Sequence, residues 1–175
     1  MDLKSYIRTI PNFPKKGILF RDVTTLFNNA DAFSHMVDVF AKYWTNKSIT
    51  AIAGIDARGF IIGGALAFKM NLPFVALRKK GKLPFDTISK EFDLEYGTAT
   101  LEVHKDAVGT GDHVLIVDDL IATGGTALAG IDLIKALDAE VAGCAFLVDL
   151  PDLSGSSKIR NRGIESHALM AFDGH

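Results

Sequence analysis

Residues 114–127 read VLIVDDLIATGGTA, and no other stretch constrains the fold of this chain so tightly. An unbroken Val/Leu/Ile run without polar alternation suits a strand covered on both faces, as in the interior of a parallel sheet. Asp118 and Asp119 then fall at its carboxyl end, the edge where open α/β sheets bind ligands. Gly124 and Gly125 let the backbone bend so that several N–H groups face one anion, and a helix expected from about Thr126 to Leu137 adds the positive end of its dipole. Thr123 and Thr126 offer hydroxyl donors. A phosphate would repel the two acids, so their partners are sugar hydroxyls or a magnesium ion beside the phosphate; a sugar phosphate satisfies both halves. The plainer reading is an ordinary strand, turn and helix with capping Thr and Gly. Neither G-x-x-x-x-G-K-[ST] nor G-x-G-x-x-G occurs in the chain.

With 175 residues, 48% of them hydrophobic, the chain can form one domain with a substantial core, and two full domains would be cramped. The expected organisation is a single domain, with a small appendage over residues 1–30 and the core over 31–175. A net charge of −2 and a pI near 6.2 provide no global basic field, which counts against nucleic acid as the main partner. The longest apolar stretch, Gly59 to Phe68, falls far short of the roughly 18 residues of a membrane span. The opening MDLKSYIRTIPNFPKK lacks a signal-peptide core, so a cytoplasmic product is expected. The single cysteine, Cys144, lies in the apolar run VAGCAFLV and suits a buried structural role. The five histidines show no metal-binding spacing.

Along the chain, Phe33, Met36, Val37, Phe40, Ala41 and Trp44 recur at helical spacing after an Asn-Asn-Ala-Asp start signal, a core-packing stripe. Residues 50–55 read as a buried strand, 60–70 as a helix and 74–77 as a strand. Residues 113–117 and 140–148 continue the alternation, which indicates a parallel sheet with helices on its faces. Gly81 to Tyr96 breaks the pattern as either a long loop or a mobile hairpin, with residues 99–103 as the returning strand. IPNFPKKGILFRDVTTLF stands apart as a hood over the carboxyl edge, or as a simple packing arm.

Four further segments bear on chemistry. GIDARGF sits at a strand-to-helix turn, where Asp56, Arg58 and Gly59 suit a pyrophosphate through backbone N–H groups and a planar, permanently charged guanidinium; a plain helix cap is the alternative. Arg78, Lys79, Lys80 and Lys82 form a cation run, ordinarily a solvated face, and here a clamp over a polyanion. Glu95, beside Tyr96 and Gly97, suits a general acid on a segment able to close and exclude water, although an isolated Glu is ordinarily a surface residue. In the hood, Phe20 suits stacking on a flat base while neighbouring backbone groups read its edge.

Taken in order, NFPKKGILFRDVT, GIDARGF, LRKKGKLP, EYGTATLEVHKDAV and VLIVDDLIATGGTA resemble the type I phosphoribosyltransferases, and FPKKGILFRD with LEYGTATLEVHKDAV narrow the resemblance to the adenine branch. The resemblance covers nearly the whole chain. It implies an α/β fold with a central parallel sheet flanked by helices, a small N-terminal hood and a mobile loop. It also implies transfer of the 5-phosphoribosyl group from 5-phosphoribosyl 1-diphosphate to adenine, giving AMP and pyrophosphate, with Mg2+ held mainly by the substrate near Asp118 and Asp119. Carried over by residue, it assigns Ala122, Thr123, Gly124, Gly125 and Thr126 to the 5′-phosphate and Asp118 and Asp119 to the ribose hydroxyls. Asp56, Ala57, Arg58, Lys79 and Lys82 handle pyrophosphate, Leu19, Phe20, Arg21 and Leu120 frame adenine, and Glu95 and Arg58 are catalytic. A homodimer is implied, with Arg78 contributed across the interface. One departure is Asp138, where the family pattern carries glycine at a helix end; it bears on stability rather than activity. Two rivals are a 6-oxopurine transferase, which should lack this hood, and a regulator that binds the sugar diphosphate, which should carry a nucleic-acid-binding element or a basic face.

Overall fold

The computed structural model describes residues 1–94 and 97–174. The VLIV run opens β7 (His113–Ile121), which lies between β3 (Ala51–Ile55) and β8 (Glu140–Asp149), parallel to both. Its side chains alternate between two buried clusters. Leu115 and Val117 point to one that includes α2 (Ala30–Trp44) and α3 (Arg58–Met70), while Val114 and Ile116 point to one that includes α4 (Gly125–Ala136). Coverage on both faces is why the run contains no polar alternation.

β4 (Phe74–Lys79) and β9 (Ser166–Ala171) extend the parallel set on either side of these three strands. An antiparallel hairpin, β5 (Thr87–Asp93) and β6 (Thr98–His104), completes a seven-stranded sheet of order β5-β6-β4-β3-β7-β8-β9. The segment that broke the sequence pattern is therefore a hairpin, paired from Thr87 with His104 to Asp93 with Thr98. Its polar composition reflects an edge position. Glu95 and Tyr96 lie outside the described residues.

In α2 the Asn29 side chain accepts from the Ala32 N–H at 2.9 Å, closing the expected start signal. Ala32, Met36, Val37, Phe40, Ala41 and Trp44 are buried, and half-buried Phe33 packs edge-on against Phe27. Truncating Phe40 or Trp44 to alanine would cost about 3–5 kcal/mol. After α4, Asp138 adopts the left-handed conformation, φ 61, that glycine takes most cheaply. The hood contains a two-stranded antiparallel sheet, β1 (Arg8–Pro11) and β2 (Leu19–Asp22), followed by the short helix α1 (Thr24–Phe27). Leu3, Ile7, Val23 and Leu26 root it in the cluster beneath α2. Cys144 is fully buried, and burial pushes its thiol up to about 12. No described helix is long and apolar enough to cross a membrane.

Candidate active site

β7 continues two turns of pleat beyond its apolar run, because Asp118, Leu120 and Ile121 keep their pairing with Phe146, Val148 and Asp149 of β8. The paired acids therefore stand on the strand itself rather than in a loop after it, with their backbone fixed. The Asp119 carboxylate is buried and receives a hydrogen bond from Arg58 Nε at 2.5 Å, while its own N–H donates to Asp118 Oδ1 at 2.8 Å. Burial opposes the charge on Arg58, but the Asp119 bond and the charges of Asp119, Asp118 and the hood's Asp22 outweigh it and hold the guanidinium pKa above its ordinary value. Asp118 is treated differently by the fold. Burial first, and then repulsion by Asp119, push its carboxyl well above the usual carboxylate range.

Arg58 opens α3 immediately after Asp56 and Ala57, whose peptide bond is cis. Asp56 accepts from Arg78 Nε at 3.3 Å and from the Lys79 backbone N–H at 3.5 Å, and the Arg78 guanidinium lies over the Phe60 ring at 5.6 Å. Arg78 is thus partnered within its own chain, whereas Lys79, Lys80 and Lys82 form no ion pair among the described residues.

The Thr-Gly-Gly-Thr turn closes with Gly124 at φ +87 and the Leu128 N–H donating to the Gly124 carbonyl at 2.9 Å. It is braced from a region that carries no motif. The Gly155 N–H donates to the Ala122 carbonyl at 3.0 Å and Lys158 Nζ to the Thr123 carbonyl at 2.8 Å. A Cβ on Gly155 would come within 2.3 Å of the Ala122 oxygen, so only glycine allows this approach. Both residues belong to α5 (Gly155–Arg160). In the sequence, Ser154-Gly155 reads only as a helix start, since the contact spans more than thirty residues.

Asp118, Leu120, Ala122, Thr123, Gly124, Gly125 and Thr126 line a small cradle of about 100 Å³. Beside it, a cavity of about 330 Å³ gathers Asp56, Ala57, Arg58, Lys79, Asp118, Asp119 and Thr126, roofed by Phe92 and Leu94 of the hairpin. The hairpin rests on the turn: a Cβ on Gly125 would meet the Asp93 carbonyl oxygen at 2.9 Å. Lys90 ties it to Asp132 of α4 at 3.2 Å, and Arg162 holds the same carboxylate at 2.6 Å. Leu19, Phe20, Arg21, Arg78 and Lys82 do not line this cavity. Phe20 is half-buried and packs edge-on against Phe13, with centroids 5.1 Å apart.

Among the described residues, no group of three or more His, Cys, Asp or Glu side chains is arranged to hold a metal. Two adjacent carboxylates, one already engaged by Arg58, match an ion such as Mg2+ that keeps several waters and takes most of its ligands from substrate phosphates.

A phosphoribosyl transferase domain matches residues 23–162. The adenine phosphoribosyltransferase of Jannaschia sp. (strain CCS1) is 56% identical over 172 residues, 98% of this chain and 96% of the relative. The crystal structure of adenine phosphoribosyltransferase from Thermoanaerobacter pseudethanolicus superposes with a TM-score of 0.93 at 44% identity, covering 98% of each chain. The enzyme from Saccharomyces cerevisiae, complexed with D-2,5-dideoxy-2,5-imino-altritol 1,6-bisphosphate and adenine, superposes at 0.90 with 36% identity over 96% of each chain. The chain belongs to the adenine phosphoribosyltransferase family, with the type I phosphoribosyltransferase fold.

Proposed function

We propose that this protein transfers the 5-phosphoribosyl group from 5-phosphoribosyl 1-diphosphate to adenine, releasing pyrophosphate and forming AMP for purine salvage. The observation that carries the reading is the convergence on one cavity of Arg58, Lys79, the acid pair and the end of the phosphate turn, in a chain 56% identical along nearly its whole length to an enzyme of that name. The 5′-phosphate sits on the backbone N–H groups of residues 122–126, and Asp118 and Asp119 receive the ribose hydroxyls. Both carboxylates can accept hydrogen bonds from ribose hydroxyls. Ala57, Arg58 and Lys79, joined by Asp56 and Lys82, take the diphosphate. As its bond to the anomeric carbon lengthens, charge gathers on the leaving group, and fixed cations there stabilise the transition state more than the ground state. Mg2+, bound mainly by the substrate near Asp118 and Asp119, spreads that negative charge when present.

Adenine lies against the hood, stacked on Phe20, with Leu19, Arg21 and Leu120 around it. Glu95 takes the proton that the five-membered ring loses as its nitrogen bonds the anomeric carbon, returning it to the base in the reverse direction. The hairpin is the cover that keeps water from the reacting carbon. A homodimer fits α3, which leaves Ile61 and Phe68 exposed at 47% and 90%, one face apart by two turns, with Gly64 and Ala65 between them to allow close approach. In such a dimer Arg78, which lies beside Phe60 of α3, would be contributed across the interface. A cytoplasmic setting matches a single buried thiol.

The direct test follows nucleotide formation spectrophotometrically from adenine, hypoxanthine or guanine with the sugar diphosphate and magnesium. AMP from adenine is expected; product from the 6-oxopurines alone would transfer the assignment to the other branch. Glu95→Gln keeps shape and removes the carboxylate that carries the proton, so kcat should fall about 10²- to 10⁴-fold with adenine binding little changed. A loss below about fivefold would strike Glu95 from the catalytic group.

A further inference from the structure

The last residues of the chain carry no motif, yet two of them hold one of the hood residues. Arg21 Nη1 donates to Thr9 Oγ1 at 2.6 Å, Nη2 donates to the Asp173 carbonyl at 3.0 Å, and the guanidinium carbon lies 4.5 Å from the centre of the Phe172 ring. Arg21 Nε is buried without a partner among the described residues, so these contacts alone set the side chain's position.

The tail is itself anchored. The Phe172 N–H extends the β8 pairing by donating to the Asp149 carbonyl at 3.1 Å, and the Gly174 N–H donates to Asp152 Oδ2 at 3.0 Å. Lys4 Nζ donates to the Ala171 carbonyl at 2.6 Å and stands 4.5 Å from the opposite partner of the clasp, the Phe172 ring. Two cations from the hood thus converge on one aromatic ring from the end of the sheet. Arg21 belongs to β2, which among the described residues pairs only with the four-residue β1. A two-stranded ribbon of that length is marginal by itself.

We propose that Phe172 is a positioning residue for base recognition: by clasping Arg21 it fixes the register and tilt of β2, on which Leu19, Phe20 and Arg21 meet the purine. The Arg21 side chain then acts as a strut toward the tail, leaving its backbone to the base. The inference rests on adenine being the base read by the hood. Because no hydrogen bond or ring contact among the described residues links the clasp to the phosphate turn or to residues 56–58, its loss should register on one substrate only.

The test is steady-state kinetics on Phe172→Leu, which keeps an apolar side chain but no aromatic face, and on Phe172→Tyr, which keeps the face. Phe172→Leu should raise the KM for adenine about three- to tenfold, the range of a partly shielded cation–aromatic contact. KM for the sugar diphosphate and kcat should stay within about twofold, and Phe172→Tyr should restore the adenine value. A chain ending at Ala171 should lose at least as much adenine affinity as Phe172→Leu, with the same selectivity. An unchanged adenine KM in Phe172→Leu overturns the proposal, as does a parallel loss on both substrates that tyrosine does not rescue, since that pattern is general loosening. Wild-type protein that makes no AMP from adenine would instead sink the functional reading, and the clasp's role in base recognition with it.

Discussion

The two edges of the parallel sheet carry similar groups and use them oppositely. At the amino edge, the Glu165 carboxylate accepts from Lys47 Nζ at 2.5 and 2.6 Å and from the Tyr43 hydroxyl, while His167 stacks on the Tyr43 ring with centroids 3.6 Å apart. Burial works against the charge of Glu165, but the Lys47 and Tyr43 hydrogen bonds outweigh it and hold the carboxyl below the usual range. Lys47 is held above its own ordinary value for the matching reason. At the carboxyl edge, Arg58 serves Asp119, while Asp118 is forced upward by burial and by its neighbour. The fold itself balances the first cluster and leaves the second in deficit. A balanced cluster stabilises; an acid whose charge the chain does not balance is arranged for something that arrives from outside.

The largest effect expected from this contrast is on turnover. Asp118→Asn with Asp119→Asn should lower kcat/KM about 10²-fold or more, because contacts to the reacting sugar are lost, with the fold intact. Glu165→Gln should leave kcat/KM at the wild-type value. Comparable losses from both would show that the amino edge reaches the chemistry and would erase the distinction.

Two glycines sharpen the comparison at the next level. A Cβ on Gly155 would stand 2.3 Å from the Ala122 oxygen behind the phosphate turn, and one on Gly143 would stand 2.4 Å from the Trp44 ring at the amino edge. Both alanine variants should lose about 1–3 kcal/mol in calorimetry through overpacking. Only Gly155→Ala should also raise KM for the sugar diphosphate, by roughly tenfold, the value of about 1.4 kcal/mol. A similar KM in both variants would mean that α5 does not set the turn.

Much of this was legible in the chain, for reasons that separate local from distant contacts. The run Val114–Val117 reveals an interior strand because covering both faces removes polar alternation, and the α2 stripe reveals its buried face because side chains repeat with the helical turn. Asp118, Asp119 and the Thr-Gly-Gly-Thr turn are consecutive, so their meeting in one cradle follows from a single bend. What stayed hidden depends on chain segments brought together by folding. Gly155 and Lys158 brace a turn more than thirty residues away, and Phe172 meets Arg21 from the other end of the molecule. The hairpin was ambiguous because an edge strand exposed to water has no obligation to alternate. Nothing in the residue types of Asp56 and Ala57 signals the cis peptide between them.

The smallest expected effect is also the one that reads the two edges with opposite sign. Glu165 has a lowered pKa in the folded state, so its contribution to stability is complete above the ordinary value of 4.5 and disappears as pH falls through the folded value. Asp118 has a raised pKa, so its contribution is complete below the ordinary value of 3.8 and is lost as pH rises through its folded value. Acidification from neutrality should therefore relieve the carboxyl edge before it unloads the amino edge. A calorimetric series from about pH 8 to about pH 3 separates them, because each variant removes one linked proton. Asp118→Asn should flatten the upper part of the profile and leave the protein at least as stable as wild type near neutrality. Glu165→Gln should soften the acid limb without abolishing it, since Asp22 and Asp132 are also held below their usual values. With 37% of the Glu165 side chain exposed, solvent screening limits its pair to no more than about 1 kcal/mol. For a chain of this size that is roughly 2–4 °C in Tm. If Glu165→Gln instead flattened the profile near neutrality, or Asp118→Asn removed the acid limb, the assignment of a balanced and an unbalanced edge would be reversed.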